Sequence, residues 1–354
     1  MSNKHLPHDL AQMQSLPLEA KIIMTKQRIR QWYEYWDGQV YVSFSGGKDS
    51  TVLKHIVDSM YDDVPALFVN TGLEYPAIQK FVKDIKAGKY DCFNSDVEIV
   101  RPAMRFDEVL RKYGFPVISK ELSLFIRQCQ HPTETNEVTR RLRLEGIKSD
   151  GTKSACGWIP EKWKHLVDAP FYISEKCCDV MKKRPAKAFA KETARKPFIG
   201  TLASESRIRE QKWLQHGCNA FDKNDPSSQP LSFWTEQDIL HYIKKYSVPY
   251  CSVYGDIVVD TPDDNQINLI DYLGCYEEED KLKTTGCDRT GCIFCMFGCH
   301  LEKEPNRFQR LKKTHPRQYE YCIGGGEMVD GKWQPSKEGL GLGKVLDYIG
   351  VKYD

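Results

Sequence analysis

The 354-residue chain has no apolar run approaching the roughly 18–20 residues of a membrane-spanning helix, which excludes a helical membrane protein. Its opening residues, MSNKHLPHDLAQMQSLPLEA, lack the apolar centre of a secretory signal, so a cytoplasmic location is the expectation. Net charge is only +2, so no global charge signature points to nucleic acid. Internal repeats are absent, which excludes solenoids and propellers. Cysteine, by contrast, is abundant. Thirteen of them, an odd number in a chain this long, argue against a disulfide scaffold and for reduced thiols, some serving as ligands.

Two of these cysteines are adjacent, in SEKCCDVMKKRP (174–185). Their Cα atoms can stand only about 3.8 Å apart across a trans peptide, short of the usual disulfide span of about 4.4–6.8 Å. Neighbouring thiolates in a basic setting suit a metal if further ligands arrive from elsewhere. GCDRTGCIFCMFGCH supplies Cys287, Cys292, Cys295 and Cys299, and Cys-x2-Cys turns serve both zinc and iron–sulfur sites. Charge is also unevenly placed. Lys176 to Lys196 holds eight Lys or Arg against two acids, whereas Asp256 to Asp280 holds nine acids and no Lys or Arg. These are either solvated faces or an anion-binding segment beside an acidic insertion.

Periodicity organises the first half. Residues 17–36 carry apolar positions at helical spacing behind Pro17, and Val40, Val42 and Phe44 alternate as in a strand. A helix is expected from Asp49 to about Tyr61, strands at 66–71 and 97–102, a helix from Tyr75 to Ala87, and a later strand at 197–202. Alternating strands and helices imply an α/β fold built on a parallel sheet. Residues 103–196 look richer in helix, with HPTETNE and NDPSSQP as loops, and Thr235 is placed to cap a helix. The expected organisation is an N-terminal helix (1–37), a nucleotide-binding α/β domain (38–255), an acidic and cysteine-rich segment (256–322) and a loop-rich tail (323–354). RFQRLKKTHPRQ (307–318) contains a basic amphipathic helix, read either as a solvated face or as a nucleic-acid contact.

The stretch Ser45-Gly46-Gly47-Lys48-Asp49-Ser50 ends a strand and opens a helix. Glycines there permit close backbone approach, and the helix N-terminus offers unpaired N–H groups to a phosphate. SGGKDS in this context resembles the PP-loop of the adenine nucleotide α-hydrolase superfamily. LFVNTGLEYPAIQKFV resembles the second signature of its phosphoadenosine phosphosulfate reductase branch, with Asn70 where Asp is frequent. IGTLASESRIREQ resembles that branch's third element, with Gly200, Ser206 and Arg209 matching and Leu202 standing where an Arg is expected.

The resemblance implies a Rossmann-like, five-stranded parallel sheet with helical, cysteine-rich C-terminal elements. It also implies an enzyme that binds ATP or another adenine nucleotide through residues 45–50, Ser206 and Arg209. Cys177-Cys178 with Cys292-x2-Cys295 resembles the [4Fe–4S] signature of adenosine phosphosulfate reductases, in which Lys182 also matches. Zinc held by Cys287, Cys292, Cys295 and Cys299 is the alternative, and buried structural cysteines a third. True reductases end in a Glu-Cys-Gly-(Leu/Ile)-His segment that is missing here, where Cys322 is the last cysteine. Three activities remain open. One is ATP-dependent activation with sulfur transfer, using Lys182 and Arg209 for catalysis and resembling DNA phosphorothioation enzymes, with DNA or tRNA as acceptor. The others are sulfonucleotide reduction with a thiol or electron-donor protein, and nucleotide sensing without catalysis.

Overall fold

The computed structural model describes residues 4–260 and 280–354; most of the acidic run and Cys275 lie outside the described residues. The chain forms two compact units, each assembled from separate stretches of sequence. The first comprises Met1–Asn70, Glu74–Val100 and Ala186–Thr290, and the second Thr71–Leu73, Arg101–Pro185 and Gly291–Asp354. Among the described residues no helix is long and apolar enough to cross a membrane.

In the first unit, α1 (Pro7–Gln14) and α2 (Leu18–Tyr35) precede β1 (Val40–Ser43) and α3 (Lys48–Asp58). Strand β2 (Ala66–Val69), α4 (Pro76–Lys86) and β3 (Val97–Val100) continue the alternation. After the excursion into the second unit come β5 (Lys196–Ile199), α9 (Arg207–His216), β6 (Asn219–Ala220), β7 (Ser227–Ser228) and α10 (Glu236–Lys245). The sheet order is β3-β2-β1-β5-β7-β6. Five strands run parallel and β6 joins antiparallel at the edge, one strand more than the family resemblance implies. β7 lies in the NDPSSQP stretch expected to be a loop. Two polar residues are too few to show a period of two, and only pairing with Phe198 and Asn219 makes them a strand.

Central strand β1 is buried on both faces, as parallel strands are, and Ile29, Trp32, Val52, Ile56, Phe198 and Trp234 pack around the sheet. Thr235 caps α10 as expected: its hydroxyl accepts from the Asp238 N–H, and the Asp238 carboxylate accepts from the Thr235 N–H at 2.6 Å.

The second unit contains α5 (Phe106–Tyr113), β4 (Val117–Ile118), α6 (Lys120–Gln130) and α7 (Glu137–Glu145), then a π-helical turn at Asp179–Lys183; α8 (Arg184–Thr193) continues from that turn and passes into the first unit at Ala186. Two helices, Arg307–Thr314 and Pro316–Ile323, fill the basic 307–318 region and continue past it. They break at His315 because the residue before a proline is pushed out of the helical region. The tail expected to be loop-rich contains a hairpin, Glu327–Val329 with Lys332–Gln334, and a helix, Leu342–Tyr348, that buries Leu342, Val345 and Leu346. Three apolar positions in a seven-residue helix flanked by glycines are too short a pattern to read in advance.

Candidate functional site

The SGGKDS loop leaves the C-terminal end of β1 and enters α3, with Gly47 as the N-cap residue. The two glycines do different work. Gly46 has φ +72°, and a Cβ there would stand 2.9 Å from Ile78 Cγ2. Gly47 has φ −77°, which any residue adopts; its role is close approach, since a Cβ would meet Thr290 Oγ1 and Tyr254 Oη at 3.2 Å. Ser50 stitches the loop together. Its hydroxyl donates to the Gly47 carbonyl at 2.9 Å, accepts from the Ser45 N–H at 3.2 Å and lies 2.9 Å from Ser45 Oγ.

Beside this loop β5 ends just before Gly200, where a Cβ would lie 3.0 Å from Ser50 Cα and 3.1 Å from the Asp49 carbonyl oxygen. That contact is with backbone, which cannot swing aside. Gly200→Ala is therefore expected to destabilise the first unit by about 1–3 kcal/mol and to weaken nucleotide binding with it. Urea denaturation and calorimetry on the same variant read the two effects.

Charged groups gather at the loop. Lys48 is 5% exposed and pairs with Glu236 at 2.8 Å. Arg209 pairs with Glu205, which also meets Arg289 at 3.5 Å. Asp49 Oδ1 is buried with no hydrogen-bond partner among the described residues. Burial pushes the Asp49 carboxyl up, opposed by Lys48, Arg289 and Arg209 and reinforced by Glu236. Three cations and an unsatisfied carboxylate around a helix N-terminus suit a polyanion carrying its own donors or cations. Ser206 is the N-cap of α9: its hydroxyl accepts from the Arg209 N–H at 3.4 Å. Tyr254, Thr290, Arg289, Glu205 and Glu236 were not singled out from sequence. Arg289 and Thr290 lie in the cysteine-rich GCDRTGC segment, whose only local signal is its cysteine spacing.

The four candidate cluster ligands, Cys177, Cys178, Cys292 and Cys295, all belong to the second unit, and one strand region holds both pairs. Phe115 forms a parallel bridge with Ile173, just before Cys177, while Val117 and Ile118 pair in parallel with Met296 and Phe297, just after Cys295. The Gly298 N–H donates to the Ile118 carbonyl at 2.8 Å, and Ile118 takes φ +60°, a costly state for a β-branched residue. The Cys295 N–H closes the Cys-x2-Cys turn on the Cys292 carbonyl at 3.0 Å, and Arg307 Nη1 donates to the Cys295 carbonyl at 2.9 Å.

Interaction with Cys178 first, then burial and the charges of Cys178, Cys292 and Cys295, push the Cys177 thiol up. Interaction with Cys177 first, with Lys120 and Lys182 behind it, holds the Cys178 thiol down against the effect of burial. All four are thiol donors, the chemistry that a thiolate-bound cluster needs. Among the described residues no three His, Cys, Asp or Glu side chains already form a metal-binding group. Cys299 is 1% exposed, donates to the Met296 carbonyl at 3.0 Å and is pushed up to about 12 by burial. Cys287 belongs to the first unit and donates to the Arg289 carbonyl at 2.7 Å. Cys322 is fully buried, and burial pushes its thiol up strongly. Lys182 belongs to the second unit with the cysteines and Arg209 to the first with the loop.

The family model for the phosphoadenosine phosphosulfate reductase domain matches residues 39–148 and 120–296, a span that takes in the loop and the cysteine pairs. The chain belongs to the phosphoadenosine phosphosulfate reductase family. The family accounts for the mainly parallel sheet with the loop at the end of β1. Two uncharacterized proteins of Methanocaldococcus jannaschii are similar to it. One is 38% identical over 91 residues, 25% of this chain and 21% of that protein. The other is 22% identical over 296 residues, 82% of this chain and 42% of that protein. The chain therefore spans less than half the length of these curated relatives. The crystal structure of phosphoadenylyl-sulfate reductase from Candida auris, a phosphate complex, matches with a TM-score of 0.38 at 13% identity, covering 71% of this chain and 92% of that one.

Proposed function

We propose that this family member binds ATP at residues 45–50 and performs ATP-dependent activation leading to sulfur transfer. The observation that favours this over sulfonucleotide reduction is the state of Cys322. A reductase needs a thiol able to reach the sulfur of its substrate, and a thiol with no exposure and a raised pKa is a poor nucleophile. Attack at the α-phosphate of ATP with departure of pyrophosphate places charge on the phosphate oxygens. Lys48, Arg209, Arg289 and the α3 N-terminus supply positive potential for that charge.

A [4Fe–4S] cluster held by Cys177, Cys178, Cys292 and Cys295 is part of the proposal. It would supply a redox-active or sulfur-binding centre. Support comes from the two cysteine pairs being anchored on one strand region. The hydrogen bonds of Cys287 and Cys299 to backbone carbonyls make the local four-cysteine zinc site the weaker alternative.

The test supplies radiolabelled ATP, adenosine phosphosulfate and its 3′-phosphorylated form separately, with dithiothreitol or thioredoxin present. Pyrophosphate release from ATP that persists in Cys322→Ser is the expected result. Sulfite release that disappears in Cys322→Ser would establish reduction instead.

A nucleic-acid acceptor is favoured by the distribution of charge between the units. The second unit carries 27 Lys and Arg against 19 Asp and Glu, a net +8, while the first carries 24 against 30, a net −6. The near-neutral whole conceals this division. Lys313 and Arg317, exposed on the helices after the cysteines, belong to the basic unit. Binding of tRNA or duplex DNA is expected to weaken steeply with salt, and Lys313→Glu with Arg317→Glu to reduce the slope of log K against log salt by about 2. A salt-independent affinity would remove the acceptor from the proposal.

A further inference from the structure

Two donors that a phosphate loop should offer, the Lys48 N–H and ammonium, are in this chain spent on the chain itself. The Lys48 N–H, first of α3, donates to Tyr254 Oη at 3.1 Å, and that hydroxyl lies 2.7 Å from Thr290 Oγ1. These two oxygens are the ones that a Cβ at Gly47 would meet. The Lys48 ammonium donates to the Asp288 carbonyl and stands 5.3 Å from the centre of the Tyr254 ring. All of these residues belong to the first unit.

The segment carrying Asp288 and Thr290 is tied to the turn carrying Tyr254. The Gly286 N–H donates to the Tyr254 carbonyl at 2.9 Å, the Cys287 N–H to the Val253 carbonyl at 3.0 Å, and the Asp256 N–H to Thr285 Oγ1 at 2.9 Å. Gly286 is needed for this closeness, because a Cβ would stand 2.6 Å from the Val253 carbonyl oxygen. Residues 285–290 and Tyr254 therefore form one strap laid across the loop.

We propose that the Tyr254 and Thr290 hydroxyls are a built-in surrogate for phosphate, which a bound nucleotide displaces, freeing the 285–290 strap. The inference rests on the reading that the loop takes a nucleotide phosphate. A phosphate oxygen carries charge and is a stronger acceptor than a neutral phenol, so the Lys48 N–H and ammonium gain by the exchange. Burial keeps the Tyr254 phenol protonated, so it competes as a neutral group. What is lost is the hold of Tyr254, Thr290 and Asp288 on the loop. The strap leads directly to Gly291 and Cys292, so nucleotide occupancy changes the freedom of the chain entering the cysteine turn.

Two conservative variants test this without removing packing: Tyr254→Phe and Thr290→Val. Each deletes the surrogate hydroxyl, or its partner, while leaving the loop intact, so ATP is expected to bind about fivefold more tightly, the size of one modest hydrogen bond no longer to be broken. A second readout is iodoacetamide labelling of the Cys287 peptide, followed by mass spectrometry. In the native chain ATP should accelerate it; in Tyr254→Phe it should be fast already and insensitive to ATP. Unchanged or weakened ATP affinity in both variants overturns the surrogate and leaves the loop reading standing. Absence of binding by ATP and adenosine phosphosulfate in the native chain and both variants overturns the loop reading, and the surrogate with it.

Discussion

Serine at any one of Cys177, Cys178, Cys292 or Cys295 is expected to cost most of the iron of anaerobically purified protein, which should hold about four irons per chain when loaded. Each position contributes one thiolate, and a serine hydroxyl at neutral pH does not replace it. The effect should be equally severe at the two pairs, because both are fixed by the same strand region: Phe115 bridges Ile173 and Val117 pairs with Met296. Cys287→Ser and Cys299→Ser are the informative controls. Their thiols donate to the carbonyls of Arg289 and Met296, so they should retain iron and visible absorbance. Stoichiometric zinc in a colourless protein, lost in these two controls and kept in Cys177→Ser and Cys178→Ser, would establish the local four-cysteine site instead. Iron and zinc analysis of the six variants decides between the outcomes.

The second large effect is expected at the loop. Gly47→Val should weaken ATP binding by at least about 100-fold, equivalent to about 2.8 kcal/mol at 1.4 kcal/mol per decade. Its Cβ alone would reach 3.2 Å from Thr290 Oγ1 and Tyr254 Oη, and two further methyl groups would fill the space that a phosphate needs. The fold should survive, because φ at Gly47 is −77° and suits a β-branched residue. Gly46→Val makes the contrast. There φ is +72° and the added atoms run into Ile78 and Val82, so stability and binding should fall together. Calorimetry with ATP, alongside near-ultraviolet circular dichroism, separates lost binding from lost folding. Full ATP affinity in a folded Gly47→Val protein would remove the phosphate-cradle reading.

Much of the first unit was legible from local pattern. Residues 17–36 showed helical spacing and fold as α2, Leu18–Tyr35; Val40 and Val42 alternate as in a strand and lie in β1. The glycine pair between a strand and a helix sits where those local signals put it. Such features depend on neighbours a few residues apart, and a periodicity of 3.6 or 2 records them directly. Thr235 was legible for the same reason, since an N-cap acts three residues ahead.

The site was legible only in its sequence-local parts. SGGKDS, the vicinal cysteines and Cys-x2-Cys each announce themselves within six residues. That Tyr254 and the Asp288 carbonyl would meet Lys48, more than two hundred residues away, left no mark on local spacing. Ser206 matches a family motif in the sequence, and the structure adds that its hydroxyl caps the helix that begins beside it. The Phe115 bridge and the two-residue strand β4 lie between helices α5 and α6 and are too short to show a period, yet their pairing with Ile173 and Met296 anchors both cysteine pairs. By itself the sequence determined which residues can do chemistry and which short elements carry them, because those depend on side-chain type and nearest neighbours. The tertiary structure alone decided which of them meet, which thiols are spent on carbonyls and how two units share one chain. Those outcomes follow from long-range pairing and burial, which balance the whole chain's packing against its entropy and leave no periodic trace in the sequence.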